Sequence, residues 1–160
     1  MPRNKAEVHV GRLVEVTLVD ALETDKQADD LMRAIRHAVE KVPADQMCVT
    51  AADWRQLTVM SPAASQRMLA MLRHANPRTE RSARLYSDAS PTAIMQFFRL
   101  LKDAQHPNRQ MFASPHEMAD WLGKSLNGEE TRRLQQFLGV YERPSWDGDP
   151  AADDRDRSRG

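Results

Sequence analysis

"QMCVTAADWRQLTVMSPAASQRMLAMLRHA", residues 46–75, holds three patterns in one run. Residues 48–52, "CVTAA", are short, apolar and free of alternation, which is how a strand covered on both faces reads. A polar and aromatic connector, Asp53-Trp54-Arg55, follows. Ser61-Pro62 then opens a stripe in which Ala64, Met68, Met71, Leu72 and Ala75 recur at helical spacing, until Asn76-Pro77 ends it. Buried strand, connector and amphipathic helix are the repeating half of a parallel β-α-β arrangement.

The same alternation continues on both sides. Upstream, "VHVGRLVEVTLV" (8–19) places Val10, Val14, Val16 and Leu18 on one parity and predicts a strand bent or broken at Gly11. Thr24 and Gln27 have capping-box spacing ahead of a helical stripe of Ala28, Leu31, Met32, Ile35 and Val39, which Pro43 stops. Downstream, "RSARLYS" (81–87) predicts a strand. "SPTAIMQFFRLLKDA" (90–104) predicts a helix capped by Ser90, with Ile94, Phe97, Phe98 and Leu101 along its inner side. "RQMFAS" (109–114) is a further strand. In "SPHEMADWLGKSL" (114–126), Ser114 and Glu117 are in capping register and Met118, Trp121 and Leu122 face inward. "NGEETRRLQQFLGV" (127–140) repeats the device with Asn127 and Glu130. The order predicts an α/β fold: a mostly parallel sheet of four to five strands with covering helices, plus an extra C-terminal helix. Right-handed crossovers bring the strand-to-helix turns to one rim.

The chain has 160 residues, one domain by length, expected over 1–142. Residues 143–160, "RPSWDGDPAADDRDRSRG", lack periodicity and read as a disordered tail in which Trp146 alone has the size to dock. Lys and Arg number 23 and so do Asp and Glu. A chain of zero net charge lacks the electrostatic footprint of a nucleic-acid binder. The single cysteine, Cys48, lies in an apolar run and is expected as a buried hydrophobe, with no disulfide in the monomer. No signal-peptide stretch opens the chain and no run approaches ~18 apolar residues, so a cytoplasmic protein off the membrane is expected. The five histidines show no metal-ligand spacing, and no glycine loop of the phosphate-cradling kind occurs. No cofactor is expected.

Residues 46–75 resemble the central region of the STAS fold of SpoIIAA-like anti-sigma-factor antagonists, and "FASPHEMADWLGKSL" (112–126) is similar to that family's closing strand and helix. The resemblance spans about residues 8–126. It implies a non-enzymatic bacterial regulator in signal transduction, whose partner is a protein, a kinase-like regulator or an anti-sigma factor. It also implies phosphorylation of a serine at a helix start. Aligning the helix starts brings that serine to Ser61 or, one residue on, to Pro62. The family's flanking aspartate and glycine have no counterparts, since Val59-Met60 precede Ser61 and Pro62-Ala63 follow it. From the residues alone, Ser61 is a cap like Ser90 and Ser114, worth ~1 kcal/mol. A helix N-terminus also accommodates added negative charge.

The partner surface is expected at Asp53, Trp54, Arg55, Ser61 and Arg67. Asp53 and Arg55 are expected to pair, with Trp54 covering the sheet edge or joining the recognition surface. Arg67, Arg73, Arg78, Arg81 and Arg84 are expected as a solvated basic face suited to an acidic protein. Two other classes remain. One is a domain holding a small molecule or lipid between sheet and helices, near Met60, Met68 and Met71. The other is a Mg²⁺-dependent phosphotransfer enzyme using Asp20, Asp53 and Asp88, each at or just past a strand end.

Overall fold

The computed structural model describes residues 4–142; the expected tail, with Trp146, lies outside them. The elements are β1 (Lys5–Glu7), β2 (Leu13–Thr17), α1 (Asp25–Val39), β3 (Cys48–Asp53), α2 (Pro62–Ala75), a 3₁₀ turn (Asn76–Arg78), β4 (Thr79–Leu85), α3 (Pro91–Ala104), β5 (Arg109–Phe112), α4 (Pro115–Gly123) and α5 (Gly128–Leu138). They build one five-stranded sheet in the order β1-β2-β3-β4-β5. Strands β2 to β5 run parallel, and β1 is an antiparallel edge strand. The expected α/β sheet is therefore present; of the strand expected over 8–19 only Leu13–Thr17 forms, and β1 lies upstream of that stretch and pairs with it antiparallel.

The turn between β1 and β2 holds Gly11, whose φ of +54° is in the left-handed region that favours glycine. A Cβ there would also lie 2.4 Å from Glu130 Oε2. That carboxylate is buried and fully engaged. Its Oε2 accepts from the Arg12 backbone N–H at 2.9 Å, and its Oε1 accepts from Asn127 N–H at 3.0 Å. One side chain thus completes the capping box of α5 and fastens that helix to the turn before β2. Gly11→Ala forces both a strained backbone and the displacement of this carboxylate. It is expected to destabilise the protein by about 2 kcal/mol, read as a lower urea midpoint at unchanged slope.

From β2 to β5 each strand is added on the same side of the last. Right-handed crossovers then place α1, α2 and α3 on one face of the sheet. Among the described residues no strand follows α4, so α4 and α5 are free to cover the other face. Two cores result. Val14, Val16, Cys48 and Ala52 face Leu31, Met68 and Phe97 of the first three helices, while Leu13, Val49, Ala51 and Leu85 face Met118 and Leu134 of α4 and α5. Burial on both faces is why residues 48–52 read as a continuous apolar run.

The three Ser-Pro helix starts behave alike. Ser61, Ser90 and Ser114 each accept from the backbone N–H three residues on, of Ala64, Ala93 and Glu117. The Thr24–Gln27 and Asn127–Glu130 boxes are complete. Cys48 is buried, and burial raises its thiol pKa. One inner-side expectation is corrected. Phe98 is 50% exposed, stacked edge-on against Tyr86 outside the sheet, because α3 turns Ala93, Phe97, Leu100 and Leu101 inward instead.

Candidate functional site

The face beneath α1 and α2 is floored by small residues. In register across the sheet lie Val14, Thr50 and Ser82, then Val16, Ala52 and Arg84. Short side chains on β3 cannot fill the space under two helices, and a cavity of about 640 Å³ remains. That volume falls within the ~300–1,000 Å³ of small-molecule sites. Thr50 is on the central strand of the sheet yet only half-buried, and the cavity is what it faces.

The cavity has two different ends. Arg67 of α2 binds Asp29 of α1 and lies 3.3 Å from Asp25, clamping the N-terminal halves of the two helices together. The helical lining comes from their middle and C-terminal parts, among them Ile35 and Val39 of α1 and Met68, Met71 and Leu72 of α2. Exposed Arg36, Glu40 and His74 mark the mouth there. Each helix runs back against its strand, so the mouth lies over the start of β3, at Cys48. The floor then follows Thr50, Ala52 and Trp54, ~20 Å at about 3.3 Å per residue.

At the closed end stand Trp54 and Arg84. Trp54 is 3% exposed, packed edge-on against Phe97 with centroids 5.0 Å apart. The Arg84 guanidinium lies 4.7 Å from the indole centre. Its Nη1 donates to Ser82 Oγ at 3.0 Å. Arg84 Nε and the neighbouring Trp54 Nε1 are buried donors with no acceptor. Among the described residues no carboxylate pairs with Arg84. Burial, with repulsion from Arg109 added, lowers its pKa to about 9, so it remains a cation at neutral pH. Arg109, which burial lowers to about 10, differs in being satisfied: it donates to Asn76 Oδ1, Leu72 O and Thr79 Oγ1.

Several expected site residues now have definite places. Asp53 and Arg55 do pair, Nε and Nη2 donating to the two carboxylate oxygens at 3.0 and 2.9 Å. Trp54 is not on the rim. The connector folds inward at every third residue, burying Trp54, Leu57 and Met60, and Gln96 of α3 brackets Met60 by bonding both its N–H and its carbonyl. Ser61 is half-buried at the start of α2.

The solvated basic face is also overturned. Besides the Arg67 clamp, Arg73 donates to Asp103 O, and Arg78 to Pro43 O and Gln46 O. Arg81 donates to Trp121 O and covers its ring, while Arg84 is buried on the opposite face of the strand. Closeness in sequence did not become one surface, because helix and strand periods scatter the five side chains. The aspartate triad does not assemble either. Asp53 is held in the fork of Arg55, and among the described residues no three His, Cys, Asp or Glu side chains are placed to hold a metal ion with Asp20 or Asp88.

Among the described residues no helix is long and apolar enough to cross a membrane. No family model matches the sequence, and no curated protein matches it. A solved structure does: an uncharacterized protein of the DUF3478 family, with a SpoIIAA-like fold, from Shewanella loihica PV-4. The two share 14% identity at a TM-score of 0.54, over 74% of this chain and 94% of that one. At that identity the likeness concerns the backbone alone: the chain has a SpoIIAA-like fold.

Proposed function

We propose that the protein is a non-catalytic ligand-binding domain that holds an apolar small molecule or lipid tail between its sheet and helices α1 and α2. The supporting observation is the 640 Å³ cavity itself. Its walls are Leu31, Ile35, Met68 and Met71, and its floor is kept open by Thr50 and Ala52. A neutral hydrophobic dye, N-phenyl-1-naphthylamine, is expected to bind the purified protein with a rise in fluorescence. Thr50→Leu puts an isobutyl group into the open floor and is expected to weaken dye binding by about tenfold or more while leaving the melting temperature unchanged or raised. A wild-type protein that binds no apolar probe, or dye binding indifferent to Thr50→Leu, overturns this assignment.

A second reading makes the chain a regulatory interaction module for a protein partner, a kinase-like regulator or an anti-sigma factor, as the SpoIIAA-like fold allows. Its support is local. Exposed Val59 and the Asp53–Arg55 fork lie in the connector that ends at Ser61, and Ser61 Oγ sits at a helix N-terminus, where added phosphate is favoured. Protein isolated from its own cells is expected to carry one phosphate at Ser61 by intact-mass and peptide analysis. Protein that is unmodified throughout growth removes this switch.

A further inference from the structure

The polar end of the cavity specifies more than an apolar guest. Arg84 is a buried cation beneath two helices, with one neutral hydrogen bond and no counter-charge among the described residues. Buried charges in folded proteins are paired, because taking an ion out of water is costly unless an opposite charge compensates. Two adjacent donors, Arg84 Nε and Trp54 Nε1, lack acceptors in the same place. A side chain pointing to solvent explains neither, since both are sealed at the closed end.

We propose that the cavity takes an amphipathic carboxylate, its head bound by Arg84 and Trp54 at the closed end and its tail lying over Ala52, Thr50 and Cys48 toward the mouth. This rests on the cavity being a ligand site. The head supplies what the protein lacks there: one negative charge and two coplanar acceptor oxygens, matched to the planar edge of a guanidinium. Stacking against the indole fixes the plane of the guanidinium before the ligand arrives. A phosphate monoester meets a poorer fit, having a second charge and tetrahedral oxygens with no further donors to satisfy them. The tail finds Leu31, Ile35 and Met71, and the ~20 Å run of the floor suits a single extended alkyl chain better than a bulky ring system.

The test is calorimetric titration of the full-length protein with decanoate and with decanol, which share a tail and differ in head. Wild type is expected to bind decanoate tighter than decanol by about tenfold to a hundredfold, the size of a charge-assisted hydrogen bond. Arg84→Met is expected to bind both alike, with decanol affinity kept within a few-fold. Arg84→Lys retains the charge without the fork and is expected to keep part of the preference. Trp54→Phe removes the indole N–H together with part of the ring, and is expected to lose a few-fold more affinity for decanoate than for decanol. Equal binding of the two probes by wild type overturns the carboxylate while leaving the cavity as a binding site. A preference that survives in Arg84→Met puts the head at the mouth, beside Arg36 and His74, and overturns the role of Arg84. Failure of wild type to bind either probe, together with failure to bind the neutral dye, overturns the ligand site itself.

Discussion

Arg133→Ala is expected to destabilise the protein by about 2–4 kcal/mol, because it strands a carboxylate inside the molecule. Glu15 lies on β2 facing α5 and is 4% exposed. Arg133 Nε and Nη2 donate to its two oxygens at 2.7 Å each, a two-pronged pair across 118 residues of chain. The bond holds the arginine's proton more tightly and raises its pKa. Arg133 keeps partial access to solvent, which limits the loss below that of a wholly buried pair. Urea denaturation measures it. Replacing both residues by leucine is expected to recover most of the stability, since the penalty arises from the orphaned charge and not from the missing bond. A single-variant loss under about 0.5 kcal/mol would class the pair with ordinary surface ion pairs.

Glu15 also shows what a one-dimensional pattern leaves out. In "LVEVT" it occupies the polar parity of a strand and reads as solvent-facing, yet α5 covers that face and brings its own cation. The elements themselves were legible. Each α-helix among the described residues opens on a capping residue that forms its bond, and each stripe ends at Pro, Gly or a turn. Local chemistry fixes such starts and stops, so local sequence reveals them. The site depends on pairings between distant segments. Trp54, Leu57 and Met60 carry a visible three-residue spacing, the signal that the connector turns inward, but a connector of unknown path hides which way it faces. Arg84 lies close in sequence to four other arginines, yet its place in the fold differs from theirs. Its parity with Ser82, opposite to Ala83 and Leu85, was the sign that it belongs to the helix-covered layer. The cavity itself came from Thr50 and Ala52, whose smallness acquires meaning only once both are known to lie under α1 and α2.

Arg84→Met is expected to make the empty protein more stable than its parent by about 1–3 kcal/mol, although it deletes a hydrogen bond and a ring contact. Desolvating an ion in a folded protein costs several kcal/mol, against which the Ser82 bond contributes about 1.5–3 kcal/mol and the Trp54 stack about 2 kcal/mol at most. Methionine is shorter by two atoms but unbranched and adaptable, has no charge to desolvate, and packs against an indole through its sulfur. The pH dependence has a definite sign. The folded-state pKa of Arg84 is lowered to about 9 from its higher unfolded value. Between those values the unfolded chain binds more protons, so the parent loses none of its penalty up to neutral pH and recovers stability as pH rises past about 9. The advantage of the variant is therefore expected to be full near pH 7 and to shrink in alkaline solution, as thermal denaturation across pH will show. Decanoate is expected to reverse the order at neutral pH, raising the melting temperature of the parent and leaving that of Arg84→Met nearly where it was. A variant less stable than its parent without ligand would instead make Arg84 a structural residue, held by Ser82 and Trp54 for the sake of the core. A cation that weakens the empty fold and strengthens the occupied one is the arrangement expected of a binding residue, since differential affinity for the loaded state is all that a ligand can convert into stability.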